Sequence, residues 1–201
     1  DRVGQTRAMN RFPLSDNQGF NQLVHGRDGY FLYNRHDMYI GSALQTYGEF
    51  STKEAHALKQ LCAPGQTVIE VGANMGAHTV GLARHVGPRG RVVAFEPQRV
   101  IFQVLCANVA LNSLANVECH WAAVGDKAGT ILVPELEPER KQSFGSLSLV
   151  GAEEGMAVPC YTLDQMQPRE NVALLKIDVE GMEVQVLRGG QQFLRQQIGR
   201  A

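Results

Sequence analysis

A short segment with two glycines and a glutamate further along the chain have the spacing of a nucleoside-binding site. The segment 70–76 reads Glu-Val-Gly-Ala-Asn-Met-Gly and joins an apolar run at residues 67–71 to a predicted helix at residues 77–86. Glu96 ends the next apolar run, 20 residues after Gly76. In a strand–turn–helix unit this spacing places a ligand at the helix N-terminus and its ribose diol near the carboxylate, which accepts hydrogen bonds from both hydroxyls. The pattern therefore predicts a nucleoside cofactor.

Two residues of this segment distinguish between nucleoside cofactors. Asn74 stands where a dinucleotide-binding loop has the second glycine, which lets the backbone approach a pyrophosphate. Glu70 adds a carboxylate that repels a pyrophosphate but can pair, directly or through water, with an ammonium group. A cofactor with a ribose, no phosphate and an amino-acid tail fits both residues, and S-adenosylmethionine is such a molecule. The alternative is a glycine turn that only connects a strand to a helix.

A second charged cluster, at residues 176–183, follows a later apolar run. Lys176 and Asp178 alternate with apolar residues, so their side chains share one face of a strand predicted at residues 172–179. Ligands bind beyond the carboxyl ends of strands in open α/β sheets, which places Asp178 and Glu180 at the edge of the same site. Asp178 first, and Glu180 second, are candidates for the group that orients or deprotonates a hydroxyl acceptor. The alternative is structural, with a Lys176–Asp178 ion pair and Glu180 capping the next helix.

Strands and helices alternate around these residues. The predicted elements are strands at residues 67–71, 91–95, 117–124, 130–133, 158–161 and 172–179, and helices at residues 77–86, 100–111 and 182–194, with a short helix near Asp164. Strands separated by single helices indicate right-handed βαβ units and a parallel sheet.

The region before this alternation is predicted to form a smaller extension. Two aromatic-rich runs flank the polar residues 34–37, which predicts a β-hairpin over residues 29–40. Ser51 and Glu54 have the spacing of a capping box at the start of a helix. We therefore divide the chain into an N-terminal extension at residues 1–50 and a cofactor-binding domain at residues 51–201.

Length, charge and cysteine spacing disfavour several classes of protein. A chain of 201 residues fits one globular domain, and its 19 basic and 20 acidic side chains give a net charge of −1, which disfavours an electrostatic grip on nucleic acid or anionic membranes. No apolar run has the length of about 18 to 20 residues that a membrane span needs. The four cysteines could form two disulfides or remain reduced thiols in a cytoplasmic protein, and the apolar residues around them favour thiols. These cysteines are Cys62, Cys106, Cys119 and Cys160.

Other polar side chains are interpreted as structural. His78 is predicted to lie at a helix terminus and His120 to pack within a strand. We expect no metal, because no compact cluster of oxygen ligands is visible.

Four segments together resemble the FkbM family of S-adenosylmethionine-dependent methyltransferases; they are residues 68–76, 92–97, 123–126 and 176–183. The likeness extends over residues 37–190. The resemblance implies a class I methyltransferase fold, which is an α/β fold with a Rossmann-like parallel sheet and helices on both faces. It also implies S-adenosylmethionine as the cofactor and O-methylation of a hydroxyl on a sugar, glycan or polyketide-type natural product.

The resemblance also assigns roles to individual residues. The family's cofactor-binding positions correspond here to Glu70, Gly72, Asn74 and Gly76 around the methionine part, Glu96 at the ribose, and Ala123 with Asp126 at the adenine. Residues 47–49 match a family segment that folds over the cofactor. The family's sheet continues after the segment that matches Gly189 and Gly190, so we expect a sheet that stops after its fourth core strand.

Other functions remain open at this point. A non-catalytic nucleotide-binding or interaction module and an NAD-dependent oxidoreductase are the main alternatives, and N- or C-methylation is compatible with the same fold. Methylation of DNA or RNA is disfavoured, because residues 178–181 lack the Pro-Pro-aromatic run of enzymes that act on extruded bases. We expect a small-molecule or glycan acceptor chosen by residues 135–155 and the hairpin, and the oligomeric state stays open, a homo-oligomer included.

Overall fold

The computed structural model describes residues 11–12, 19–146, 151–166 and 171–198. Its strands are β1 (Arg11–Phe12), β2 (Asn21–His25), β3 (Tyr30–Asn34), β4 (Thr67–Val71), β5 (Arg91–Phe95), β6 (Val117–His120), β7 (Ala123–Val124), β8 (Gly129–Val133), β9 (Met156–Tyr161) and β10 (Val172–Ile177). Its helices are α1 (Ile40–Tyr47), α2 (Thr52–Gln60), α3 (Thr79–Val86), α4 (Arg99–Leu111), α5 (Glu183–Arg188) and α6 (Gln191–Ile198), with a 3-10 turn at Leu163–Gln165.

A parallel sheet with the strand order β10-β4-β5-β6 forms the centre of the fold. β4 is buried along its whole length. Side chains of one face, including Val68, pack with α2 and α3, whereas Ile69 and Val71 on the other face pack with Val186 of α5 and Phe193 of α6. Helices therefore cover both faces, and the predicted α/β fold with a parallel sheet is confirmed.

Two smaller sheets flank the central one. β1, β2 and β3 form an antiparallel sheet, while β9 pairs with β7 in parallel and with β8 in antiparallel orientation. The first of these sheets shares a core with the centre of the fold: Phe31 and Tyr33 of β3 pack in one cluster with Met75, Ile101 and Val104. The predicted division of the chain at residue 50 stays a prediction, and this shared core joins its two parts.

The predicted β-hairpin over residues 29–40 is wrong in its placement. The hairpin pairs β2 with β3, so its turn lies at residues 26–29, where the Gly26 N–H donates to the Gly29 carbonyl over 2.8 Å. The polar residues 34–37 instead lead into α1. Their side chains favour this because the Asp37 carboxylate accepts hydrogen bonds from the N–H groups of Tyr39 and Gly41, over 3.1 and 2.8 Å, and so occupies donors at the helix start.

The predicted capping box at the start of α2 is also wrong. Ser51 makes no capping hydrogen bond and has a left-handed backbone with φ 48°. Its hydroxyl is therefore not directed at the first N–H groups of the helix, as a capping residue with extended backbone would direct it.

Two predicted elements are each divided in the structure. The strand predicted at residues 117–124 becomes β6 and β7 in different sheets, because a tight turn with an Ala122 N–H to His120 carbonyl bond of 3.0 Å redirects the chain. The helix predicted at residues 182–194 becomes α5 and α6. The break falls at Gly189 and Gly190, and a Cβ on Gly189 would lie 2.0 Å from the Gly125 carbonyl oxygen, so the backbones meet there.

Other sequence predictions agree with the structure closely. β4 and β5 have the predicted bounds, and α4 begins one residue before its predicted start. All four cysteines are free thiols. Among the helices of the described residues, none combines the length and the hydropathy needed to cross a membrane.

Candidate functional site

A cavity of about 370 Å³ opens where β4, β5 and β10 end. This is the edge at which parallel α/β sheets bind ligands, and the volume lies within the range of small-molecule sites, about 300 to 1,000 Å³. The sequence-predicted residues that line it are Gly72, Asn74, Glu96, Ala123, Asp178 and Glu180. The lining does not include the other predicted site residues, which are Glu70, Gly76, Asp126 and Lys176.

The loop between β4 and α3 needs its two glycines for different reasons. Gly72 has φ 84°, and a Cβ there would lie 1.9 Å from the carbonyl oxygen of Asp178. Gly76 also has φ 84°, and a Cβ there would lie 2.7 Å from a methyl of Leu105. Gly72 therefore lets the end of β10 approach the loop, and Gly76 lets α4 pack against it.

Asn74 occupies the middle of this loop in a left-handed conformation with φ 50°, which asparagine tolerates better than most residues. Its side-chain oxygen accepts a hydrogen bond from the Met75 N–H over 2.7 Å, and its amide nitrogen donates to the Phe144 carbonyl over 3.4 Å. The loop is thus connected to the segment that carries Phe144 on the opposite side of the cavity.

Glu96 presents a buried carboxylate to the cavity. It is 5% exposed, and its two oxygens each accept one backbone hydrogen bond, from Asn74 N–H over 2.9 Å and from Gln98 N–H over 2.8 Å. Burial raises the pKa of Glu96 from 4.5 to about 7, although these two hydrogen bonds oppose the rise. Because a carboxylate offers about four acceptor positions, both oxygens can still accept hydroxyl groups of a ligand.

Glu70 lies beneath the cavity, in the core between the sheet and α3. It is 1% exposed; the Thr79 hydroxyl donates to one carboxylate oxygen over 2.6 Å, and the Lys176 ammonium lies 3.6 Å from the other. The ammonium group that this carboxylate contacts in the protein is therefore that of Lys176.

Lys176 connects the carboxylates of Glu70 and Asp178. It is 8% exposed, and its ammonium lies between Glu70 and Asp178, 3.2 Å from the Asp178 carboxylate. Burial lowers the pKa of Lys176, but the two carboxylates outweigh burial, so the pKa is above its ordinary value and the side chain stays charged. The ion pair considered as the structural alternative for Lys176 and Asp178 is thus present. It does not remove Asp178 from the site, because this side chain remains 59% exposed and lines the cavity.

Glu180 stands at the cavity edge with an unusual backbone, since its φ of 50° is rare for a glutamate. Burial and the neighbouring carboxylates of Asp178 and Glu183 raise its pKa. The alternative interpretation of Glu180 as a helix cap is wrong, because α5 has Met182 at its N-cap position and no side-chain cap bond. Strained residues concentrate at functional sites, which is consistent with a role in ligand contact.

The outer wall of the cavity consists of residues that, apart from Phe50, belong to the two regions expected to choose the acceptor. These are Tyr39 and Ile40 at the start of α1, Phe50, and residues 143–146. Backbone bonds hold the two segments together: Met38 N–H donates to Gln142 over 3.0 Å, and Gln142 N–H donates to His36 over 3.1 Å. A contact between positions so far apart leaves no local pattern in the sequence.

Several other positions named from the sequence do not line the cavity. Residues 47–49 do not line the cavity, and Glu49 forms an ion pair with Arg27 at 2.8 Å. His78 is buried at the start of α3, as predicted, with its ring 3.4 Å from the Glu54 carboxylate. His120 stacks on Phe95 with ring centroids 4.7 Å apart. Asp126 lies near Cys160, whose thiol pKa is raised by burial and by this carboxylate.

Comparison with known proteins agrees with this arrangement. The chain is 31% identical over 154 residues to the methyltransferase sdnD of Sordaria araneosa, a match covering 61% of this chain and 59% of the relative. It is 26% identical over 143 residues to methyltransferase 1 of Beauveria bassiana, covering 61% of this chain and 57% of the relative. The matches thus span about three fifths of these curated relatives.

A solved structure of a SAM-dependent methyltransferase from Aquifex aeolicus matches 45% of this chain and 46% of its own, with 26% identity and a TM-score of 0.35. The family model described as the methyltransferase FkbM domain matches residues 70–199, which is more than half of the chain. The predicted family resemblance is therefore confirmed, and the chain belongs to the FkbM methyltransferase domain family.

Proposed function

We propose that this chain binds S-adenosylmethionine and transfers its methyl group to a hydroxyl of an uncharged acceptor. The observation that carries the proposal is the Glu96 carboxylate, buried in the cavity wall with acceptor positions to spare and aligned by the loop at residues 72–76. A vicinal diol is the ligand group that such a carboxylate binds best, because it supplies two donors. The family and the names of the curated relatives support methyl transfer.

The remaining walls suit the other parts of this cofactor. Gly72 and Asn74 border the side on which a methionine moiety would lie, with Glu70 and Gly76 supporting the loop from below. Ala122, Ala123 and Val124 form an apolar wall beside Phe95, which fits an adenine ring, and Asp126 follows this wall in the chain. Bound there, the cofactor supplies an electrophilic methyl group on a sulfonium.

Asp178 is the residue we assign to acceptor activation, with Glu180 as the second choice. Asp178 lines the cavity, and the Lys176 ammonium at 3.2 Å holds one of its oxygens in place. With the cofactor bound, the Asp178 carboxylate would accept the hydroxyl proton of the acceptor as the acceptor oxygen takes the methyl group from the sulfonium. A positioned base contributes about 10²- to 10⁴-fold in rate, and alignment of the reacting atoms adds further acceleration.

The charges at the cavity favour an uncharged acceptor. Its charged lining residues within the described chain are Glu96, Asp178 and Glu180, all acidic. Among the described residues no basic side chain lines the cavity, so a phosphate or carboxylate on the acceptor would lie beside these carboxylates at a cost in free energy. A hydroxyl of a neutral sugar, glycan or natural product fits these walls, which also carry Ile40, Phe50 and Phe144.

Calorimetry tests the cofactor assignment directly. We expect S-adenosylhomocysteine to bind the wild-type chain at micromolar concentration and Glu96→Ala to weaken this binding, because the charge-assisted bonds to the ribose are lost. NAD serves as the competing ligand. Binding of NAD without binding of S-adenosylhomocysteine would replace the proposal with an oxidoreductase.

A labelled methyl donor tests the reaction and the acceptor class. Neutral sugars, glycolipids and natural-product alcohols should accept label, whereas their phosphorylated or carboxylated counterparts should not. Cofactor binding without transfer to any hydroxyl, amine or carbon acceptor would indicate a non-catalytic binding module instead.

A further inference from the structure

Asn108 of α4 and Asn112, the C-cap residue of that helix, bind the backbone of the hairpin strand β3 through their side chains. Asn108 accepts from the Leu32 N–H over 2.6 Å and donates to the Leu32 carbonyl over 2.9 Å. Asn112, one helical turn later, accepts from the Tyr30 N–H over 2.9 Å and donates to the Tyr30 carbonyl over 2.7 Å. A carboxamide carries the same donor and acceptor as a peptide group, so the two side chains pair with β3 as a neighbouring strand would.

Of these two asparagines, only Asn108 also contacts the loop at residues 72–76, which is the proposed cofactor loop. Its amide nitrogen also donates to the Met75 carbonyl over 2.8 Å, and its side chain is fully buried, with 0% exposure. The amide nitrogen of Asn112 instead donates to the Asn108 carbonyl of α4 over 2.8 Å, and its side-chain oxygen accepts from Arg84 over 2.9 Å. The two residues therefore make the same contact with the hairpin but differ in their contact with the loop.

The Met75 carbonyl is close to the groups that would bind the cofactor. The preceding residue, Asn74, donates its N–H to Glu96 over 2.9 Å. Its side-chain oxygen accepts from the Met75 N–H over 2.7 Å. A hydrogen-bonded path thus runs from β3 through Asn108 and the loop to the carboxylate in the cavity wall. Because every member of this path is buried or half-buried, water cannot readily replace a lost bond.

We propose that Asn108 is a positioning residue for the cofactor loop and that it couples the β2-β3 hairpin to cofactor affinity. This inference rests on the proposed function, because it assumes that the loop and Glu96 bind S-adenosylmethionine. Asn108 itself does not touch the cavity; it holds the Met75 carbonyl, and through it the orientation of the Asn74 N–H that aligns Glu96. Asn112 holds the hairpin in the same way but has no such effect on the loop.

Paired substitutions test this difference. Asn108→Asp and Asn112→Asp each keep the size and the acceptor oxygen, and each replaces a donor with an oxygen that faces two carbonyls. Calorimetric titration with S-adenosylhomocysteine should show about ten-fold weaker binding for Asn108→Asp and a change of less than about two-fold for Asn112→Asp. Both titrations are done at a temperature where circular dichroism shows the variant to be folded. Equal affinities in the two folded variants would overturn the proposal.

Hydrogen exchange of the wild-type chain supplies a test that does not depend on a variant folding. If Asn108 couples the hairpin to the loop, ligand binding must stabilise the hairpin contact in return. S-adenosylhomocysteine should therefore slow exchange at the Leu32 amide as well as at the Asn74 amide. Slower exchange at Asn74 with no change at Leu32 would overturn the coupling. A wild-type chain that binds neither S-adenosylhomocysteine nor S-adenosylmethionine would instead overturn the proposed function on which the coupling rests.

Discussion

Two of the three described acidic residues that line the cavity, Glu96 and Asp178, are held in opposite ways. Glu96, after β5, is almost fully buried, and two backbone N–H groups hold its oxygens. Asp178, after β10, is more than half exposed, and a side-chain ammonium from Lys176 holds it. Both follow a strand of the same parallel sheet, so the sheet determines where they lie but not how each is solvated.

This difference separates a residue suited to binding from one suited to proton transfer. A buried carboxylate held by backbone cannot move far, and a ligand that donates hydrogen bonds to it relieves the cost of burying its charge. A partly exposed carboxylate keeps its charge at little cost and can release a proton to water after each turnover. The four predictions below test this contrast.

Loss of the Asp178 carboxylate should affect turnover rather than cofactor binding. Asp178→Asn keeps the size of the side chain but removes the base, so we expect methyl transfer to the best acceptor to fall by about 10²- to 10⁴-fold. Affinity for S-adenosylhomocysteine should change by less than about three-fold, since partly exposed ion pairs contribute little. Glu180→Gln is the matched variant, and a larger loss of turnover in Glu180→Gln than in Asp178→Asn would reverse our choice between the two.

Loss of the Lys176 ammonium should lower the stability of the fold more than the other substitutions do. Lys176→Met leaves the Glu70 carboxylate buried without its cationic partner, so the free energy of unfolding should fall by about 3 to 5 kcal/mol. The double variant Lys176→Met with Glu70→Gln removes the uncompensated charge and should recover most of this loss. Urea denaturation measures both variants, and a single variant as stable as the wild type would show that the pair is not buried as described.

The raised pKa of Glu96 predicts that the free energy of unfolding of the ligand-free protein depends on pH. Burial raises this pKa from 4.5 to about 7, so Glu96 favours the folded state below pH 4.5 and loses that contribution as the pH rises through 7. Relative to Glu96→Gln, which does not titrate, the free energy of unfolding of the wild type should therefore decrease by roughly 3 kcal/mol from pH 4.5 to pH 7.5. Urea denaturation across this range measures the difference, and a difference that grows with pH would contradict the burial of the charge.

The Glu96→Gln variant also tests cofactor binding with the smallest change of shape. A glutamine keeps one acceptor oxygen but removes the charge, so affinity for S-adenosylhomocysteine should fall by about ten-fold at pH 8. The loss should shrink toward pH 5, where the wild-type carboxyl is itself protonated. Calorimetry at the two pH values provides the measurement, and a loss that does not depend on pH would show that charge at Glu96 does not drive binding.

The side of the cavity formed by the ends of β4 and β5 could be predicted from sequence, because the residues that build it form a local sequence pattern. The bounds of β4 and β5, the glycines at 72 and 76, and the position of Glu96 all follow from a strand–turn–helix pattern within about 30 residues. Asn74 was informative for the same reason, since it stands where a dinucleotide-binding loop has its second glycine.

The contacts that build the outer wall could not be predicted because they join distant parts of the chain. The hairpin was misplaced because residues 34–37 have the composition of a β-turn, and only the three-dimensional structure shows the Asp37 carboxylate bound to the start of α1. Nothing local in the sequence indicates that Gln142 pairs with residues 36–38, or that Phe50 faces the cavity.

Periodicity and spacing in the amino-acid sequence by themselves determined the alternation of strands and helices from β4 to β6 and which carboxylates stand at strand ends, because both depend on local pattern along the chain. The family followed from the resemblance of four segments, and the family model confirms it. The tertiary structure decided which of those carboxylates is buried, that Lys176 joins Glu70 to Asp178, and that Asn108 links the hairpin to the loop. Burial and long-range hydrogen bonds depend on which surfaces pack together, and that is settled only when all the elements are in place.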